Sequence, residues 1–110
     1  MLALFTLGID VFAQKKAPFH IGVVTGTVSQ SEDDLRGAEA LIKEYGSVKD
    51  GGMIQHITYP DDFMSQQETF ISNVVAFADD KAMKAIIVNQ GIPGTAEAFK
   101  RVRAKRPDIL

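Results

Sequence analysis

Three short stretches hold the residue types from which a site for a small polar molecule is built. Residues 26–30 offer Thr27, Ser29 and Gln30, with backbone N–H groups at a helix start, a set suited to an anion or a hydroxyl. Residues 59–63 offer Tyr59, Asp61 and Phe63, an aromatic and carboxylate set suited to a sugar or a cation. Residues 89–94 offer Asn89 and Gln90, carboxamides that both donate and accept, followed by Gly91. The plain structural alternative for each is a turn or cap residue that satisfies backbone groups. Asp61 and His56 are the candidates for an acid or base. Asp61 and Asp62 are neighbours in sequence, so their side chains diverge and form no obvious acid–base pair. Nothing in the sequence argues for a shifted pKa at Asp61 or His56, and catalysis is not expected.

Other chemistries are excluded more firmly. The chain has no cysteine, which removes disulfides, thiolate metal sites, cysteine nucleophiles and a lipid-modified cysteine from this segment. Its two histidines, His20 and His56, each lie in an apolar run and read as structural, because a metal site needs converging partners. Gly22 and Gly26 are wrongly spaced for a dinucleotide fingerprint, and no Gly-Lys-Ser/Thr loop or Gly-x-Ser-x-Gly turn is present. A phospho-acceptor domain would need acidic residues after the first strand and an aspartate after the third; Thr25-Gly26 and Asn89-Gln90 stand there. No cofactor is expected.

Charge argues against nucleic acid as a partner. The formal net charge over 110 residues is −2, whereas phosphate recognition calls for a concentrated basic face. The one dense basic stretch, Lys100, Arg101, Arg103, Lys105 and Arg106, falls where a helix should end, and cations are favoured there by the helix dipole.

The elements that must position these loops follow from periodicity. Residues 19–25 (FHIGVVT) form a nearly continuous β-branched run, as expected of a parallel strand covered on both faces. Ser31, with Asp34 three residues on, reads as the cap of a helix whose apolar stripe is Leu35, Ala38, Ile42 and Tyr45, and Gly46 reads as its stop. Residues 53–58 (MIQHIT) are a shorter, partly alternating strand. Ser65-Gln66-Gln67-Glu68 reads as a capping box before a helix with Phe70, Ile71, Val74, Val75, Phe77 and Ala78 on its apolar face. Residues 85–89 (AIIVN) are a third strand, Thr95 the expected cap of a third helix, Pro107 its end, and residues 108–110 the start of a fourth strand. This β-α-β-α-β-α rhythm predicts an α/β three-layer sandwich on a parallel sheet. In such sheets ligands bind beyond the carboxyl ends of the strands, where the three polar loops lie. A sheet that stops three residues into its fourth strand has a bare edge, so the chain is expected to be a fragment of a longer protein.

Residues 1–13 read as a signal peptide: an apolar run too short to span a bilayer, ending at the small residue Ala13 before the polar Gln14-Lys15-Lys16. No basic residue follows Met1 and Asp10 interrupts the run, which leaves an N-terminal strand or helix as the alternative. Residues 14–18 would then be a linker and 19–110 a partial domain.

The order of these parts, FHIGVVTGTVSQSEDDLRGAEALIKEYG, then MIQHITYPDDF and a helix, then KAIIVNQGIPGTAEAFKRVRAKRPDI, resembles the first lobe of type I periplasmic binding proteins. More narrowly it is similar to DUF3798, a bacterial family of unknown function with that fold. The resemblance implies that Thr27 to Gln30, Tyr59 to Asp61 and Asn89 to Gly91 contribute one wall of a cleft between two lobes, the second lobe being missing. It implies an extracytoplasmic solute-binding protein that delivers a small-molecule ligand to a membrane transporter or sensor. Two other uses of the fold stay open: a cytoplasmic ligand-sensing regulatory domain, and an enzyme of flavodoxin-like or hydrolase type.

Overall fold

The computed structural model describes residues 16–110, so the expected leader lies outside the described residues. The elements run in the order β1 (His20–Thr25), α1 (Val28–Tyr45), β2 (Ile54–Thr58), α2 (Gln67–Ala76), β3 (Met83–Val88) and α3 (Thr95–Lys105). Single 3-10 turns at Val48–Asp50 and Phe77–Asp79 precede β2 and β3. The strands form one parallel sheet in the order β2-β1-β3, with Val23 opposite His56 on one side and Ile87 on the other. Parallel neighbours need a crossover, and here each crossover is a helix. Leu110 extends the sheet past β3: its N–H donates to Lys84 O at 3.0 Å and its carbonyl accepts from Ile86 N–H at 2.9 Å, the bonding of a parallel ladder.

Helices pack on both faces of the sheet. On one, α1 lays Ala38 over Val23 and Ile54, with Ile21, Ile42 and Met53 around them. On the other, α2 and α3 pack Phe70, Ile71, Val74, Ala98 and Val102 against Val24, Met83 and Ile86. Phe70, Val74 and Phe77 are fully buried or nearly so, each contributing roughly 1.5–3 kcal/mol through apolar burial. The helices α2 and α3 therefore dock by their apolar stripes, and the three-layer α/β architecture follows. Gly22 is required by this packing, because a Cβ there would lie 2.9 Å from the Phe77 ring.

The strands match the sequence expectation to within two residues, but the helix starts do not. Ser31 does leave helical geometry (φ −163°, ψ 80°) and its hydroxyl donates to the Asp34 carboxylate, yet a helical turn beginning at Val28 precedes it. The expected Ser65 capping box does not form; the Ser65 hydroxyl turns back to the Asp62 carboxylate, and Gln66 precedes the helix without a side-chain cap. Thr95 is the first residue inside α3 rather than its cap. That position belongs to Gly94 at φ 99°, and the Thr95 hydroxyl donates to Ile92 O at 2.7 Å. Gly46, at φ 81°, ends α1 as expected.

Candidate functional site

The strand order reverses between β1 and β3, because β1 is followed by β2 on one side and paired with β3 on the other. A crevice opens at such a point, beyond the carboxyl ends of the strands, since the loops leaving β1 and β3 run to opposite faces of the sheet. Gly26 ends β1 where no side chain fits: a Cβ there would lie 2.8 Å from the Tyr59 hydroxyl and 3.0 Å from Gln30 Cβ.

Side chains from the three polar loops meet above that glycine. The Thr27 hydroxyl donates to Asp61 Oδ1, and the Thr27 and Ser29 hydroxyl oxygens stand 3.1 Å apart. Gln30 Nε2 donates to the Asp61 carbonyl at 3.0 Å, which ties the first turn of α1 to the loop after β2. Tyr59 is 3% exposed, packs edge-on against Phe63 with ring centroids 5.4 Å apart, and directs its hydroxyl at Gln90 Oε1 across a long 3.5 Å. Gln90 Nε2 donates in turn to the Ser31 hydroxyl at 3.3 Å. Gln90 is also the one non-glycine residue with positive φ (62°) among the described residues. A left-handed conformation costs an L-residue roughly 1–2 kcal/mol, so surrounding contacts must hold it there.

Electrostatics at this edge are one-sided. Residues 26–34, 59–66 and 89–95 include Glu32, Asp33, Asp34, Asp61 and Asp62 and no lysine, arginine or histidine. Burial, helped by the charges of Asp34 and Asp61, pushes the Tyr59 hydroxyl above its usual range, so it stays a donor at neutral pH. The anion expected beside Thr27 finds poor support: the N–H groups of Gln30 and Ser31 are taken by Thr27 O, and carboxylates surround them. The arrangement suits cations and hydroxyl-rich neutral molecules.

Of the residues picked out by type and position, Thr27, Ser29, Gln30, Tyr59, Asp61 and Gln90 are brought together. Asn89 and Gly91 are not. Asn89 is exposed on the α1 side of β3, where its backbone N–H holds Val24 O at 3.0 Å, and no side chain lies within 4 Å of a Cβ built at Gly91. Ser31 joins the cluster although it read only as a cap; its place in the loop after β1 was the available signal. His56 is occupied elsewhere. The buried Thr25 hydroxyl donates to Gly26 O at 2.9 Å, so the His56 Nε2–H, 2.9 Å away, donates to Thr25 Oγ1. Burial lowers the His56 pKa against the opposing pull of Glu39, which keeps the ring neutral at pH 7. His20 pairs with Asp80 at 2.6 Å on the opposite edge of the sheet. Among the described residues no three histidine, aspartate or glutamate side chains converge as a metal site would require, and no helix is long and apolar enough to cross a membrane.

The fold and this edge define an α/β protein with its polar loops gathered at a topological switch point. The particular family is plain from comparison: residues 19–110 match the model of a protein family of unknown function, DUF3798, and the chain belongs to it. An uncharacterized protein of Treponema pallidum (strain Nichols) is 51% identical over 94 residues, which is 84% of this chain and 42% of the relative. A second uncharacterized protein of that organism is 46% identical over 37 residues, covering 34% of this chain and 17% of its own. The chain thus spans less than half the length of the relatives it matches. Among solved structures, a Clostridium difficile 630 protein provisionally named a transcriptional regulator superposes with a TM-score of 0.75 at 30% identity, over 86% of this chain and 28% of its own.

Proposed function

We propose that the protein captures a small polar molecule at the carboxyl edge of its sheet, as an extracytoplasmic solute-binding protein that serves a membrane transporter or sensor. In this reading the described residues are the first lobe of a type I periplasmic-binding-protein-like fold, and Thr27, Ser29, Gln30, Tyr59, Asp61 and Gln90 line one wall of its cleft. The observation that carries it is the meeting of exposed hydroxyl, carboxamide and carboxylate groups from three loops where the strand order reverses. The acidic character of that edge selects a cation or a hydroxyl-rich neutral molecule over an anion. Export is supported by the apolar run before Ala13. No acid–base or nucleophilic role is assigned, because Asp61 is engaged by Thr27 and neutral His56 by Thr25.

A second reading is a ligand-sensing regulatory domain in the cytoplasm; the name given to the Clostridium difficile neighbour favours it. Native mass spectrometry of the full-length gene product, recovered by fractionation of its own host, separates the two. Expected are a mature N-terminus at Gln14, an extracytoplasmic fraction, and a bound small molecule that is lost from the Thr27→Ala/Asp61→Asn variant. An uncleaved cytoplasmic protein that still carries the molecule would favour the regulatory reading. A product with no bound molecule, and no thermal stabilisation by any of a panel of sugars, polyols and amines, would sink both.

A further inference from the structure

Beside α1 the sheet is covered only in part. α1 lies over β1 and β2, and β3 turns Ile87, its last residue but one, to solvent at 50% exposure while Ile86 beside it is buried on the opposite face. Between Ile87 and α1 runs a groove of about 290 Å³, floored by Val23 and Thr25 and walled by Gly37, Ala38 and Leu41. Leu41, at 36% exposure, leans over it without a partner to bury it. Parallel sheets are stable when both faces are covered, and among the described residues nothing covers this half of β3.

Gly37 is the second observation, and it is independent of the first. A glycine in a helix interior lowers helix stability relative to alanine, so its presence calls for a reason. The fold of the described residues supplies none: a Cβ at Gly37 would meet no atom within 4 Å. Gly22 and Gly26, by contrast, are each forced by an aromatic side chain. A glycine facing open space on the wall of an apolar groove is accounted for if another backbone comes close there, because helix axes approach most closely where side chains are smallest.

From these we infer that the groove between α1 and β3 is the seat of a further helix, contributed by the part of the longer protein to which these residues belong. The match to the Treponema pallidum relative takes up 42% of that protein, so more than half of a related chain has no counterpart here from which such a helix can come. β3 has six residues and is thus about 20 Å long, which a helix of about 13 residues covers. The groove ends at the carboxyl edge beside Asp33 and Asp34, whose negative charge favours the N-terminus of a helix there. The seated helix therefore runs antiparallel to β3, with a small or apolar face against Gly37, Leu41 and Ile87.

The absence of cysteine from the chain makes the test clean, since any thiol introduced is the only one in residues 1–110. Ile87→Cys and, as an outward-facing control on the same helix as Gly37, Glu44→Cys are labelled with a maleimide in two proteins. One is the 110-residue chain; the other is a fusion in which it replaces the matched 94 residues of the Treponema pallidum relative. Expected is comparable labelling of both thiols in the short chain, and labelling of Ile87→Cys slowed about tenfold or more in the fusion while Glu44→Cys is unchanged. Gly37→Leu in the fusion should restore fast labelling at position 87, while Gly37→Ala stabilises the short chain. Equal labelling in both proteins overturns the inference. So does protection already present in the short chain, whether it is lost on dilution, which means a second copy, or on removal of residues 1–15, which means the leader. Should the graft not fold, the same two thiols are placed at the aligned positions of the relative itself, and the same outcomes decide.

Discussion

The two ends of the sheet spend their polar groups differently. At the amino edge Arg106 donates from its guanidinium to the carbonyls of Ala78, Asp80 and Met83 at 2.9–3.2 Å and pairs with Asp108 through two further bonds, at 19% side-chain exposure. Asp80 is held there by His20 and by the Ala82 N–H at 2.9 Å. Each of these bonds closes the chain on itself. At the carboxyl edge the bonds also run between side chains, but Thr27, Ser29, Gln30, Asp61 and Gln90 are exposed or half-buried and the Tyr59–Gln90 contact is long. Exposed hydrogen bonds are worth little to folding, because water replaces them at nearly equal free energy. The amino edge is thus committed to stability, and the carboxyl edge keeps groups that a ligand can take over.

That contrast breaks if a change at the amino edge leaves the fold intact. Arg106→Met keeps the length of the stem and removes the donors, taking the guanidinium from the Ala78 and Met83 carbonyls and leaving Asp80 O with the Met83 N–H and Asp108 with Lys84 at 3.8 Å. It should give the largest fall in thermal midpoint of any single change proposed for either edge, read by circular dichroism. Next in size is Gly22→Ala, in the amino half of β1, where the new methyl group meets the Phe77 ring. Overpacking of this kind costs about 1–3 kcal/mol, measurable as a lower urea midpoint. A midpoint unmoved by both changes would mean that the amino edge is no more structural than the other.

Much of this division was legible before any coordinates. The strands showed because their apolar, β-branched runs are too short for a helix and are bounded by turn residues, and the rule that ligands sit at carboxyl ends pointed by position to loops whose side chains the fold brings together. Individual hydroxyls were not legible. Ser65 and Thr95 carry capping signatures, but a serine or threonine hydroxyl has several acceptors in reach, and here Asp62 and Ile92 O take them. Asn89 and Gln90 are adjacent and chemically alike, yet strand alternation puts Asn89 on the same side as Ile87 while the left-handed turn at Gln90 carries it to Tyr59. Arg106 read as one cation among several at a helix end. Its carbonyl partners come from the turn before β3 and from the first residue of β3, more than twenty residues earlier, and no local pattern announces such a meeting. Within the rest of the basic run the pairing is more ordinary, Arg101 with Glu68 and Glu97 and Lys105 with Asp79.

A smaller effect should separate the edges by pH. The hydrogen bonds from Arg106 hold the Asp108 carboxyl down at about 2 against the opposing effect of burial. Burial acts to raise Asp80 as well, but the bond from His20, the Ala82 N–H and the charges of His20 and Arg106 outweigh it and leave that carboxyl below its ordinary value. A carboxyl depressed in the folded state binds fewer protons there than in the unfolded chain. Its contribution is complete above the ordinary carboxylate range, about pH 4, and is lost as pH falls through the folded value. Urea midpoints should therefore drop between about pH 4 and about pH 2, and Asp108→Asn should flatten part of that drop, which assigns that part to the amino edge.

The smallest expected effect on folding is the most informative about the carboxyl edge. Gln90→Gly removes the side chain that links Tyr59 to Ser31 and relieves the left-handed strain at φ 62°. Relief of that strain, on the order of 1 kcal/mol, is offset by the freedom glycine adds to the unfolded chain, so stability should change by less than about 0.5 kcal/mol. An ordinary loop residue under strain with no return in stability would be replaceable without any consequence. Here the strain holds a carboxamide over the crevice, and the change should weaken capture of the bound molecule in the full-length protein about tenfold, measured by isothermal titration once native mass spectrometry has identified it. Unchanged affinity with unchanged stability would remove Gln90 from the site and confine the crevice wall to the Thr27, Asp61 and Tyr59 side.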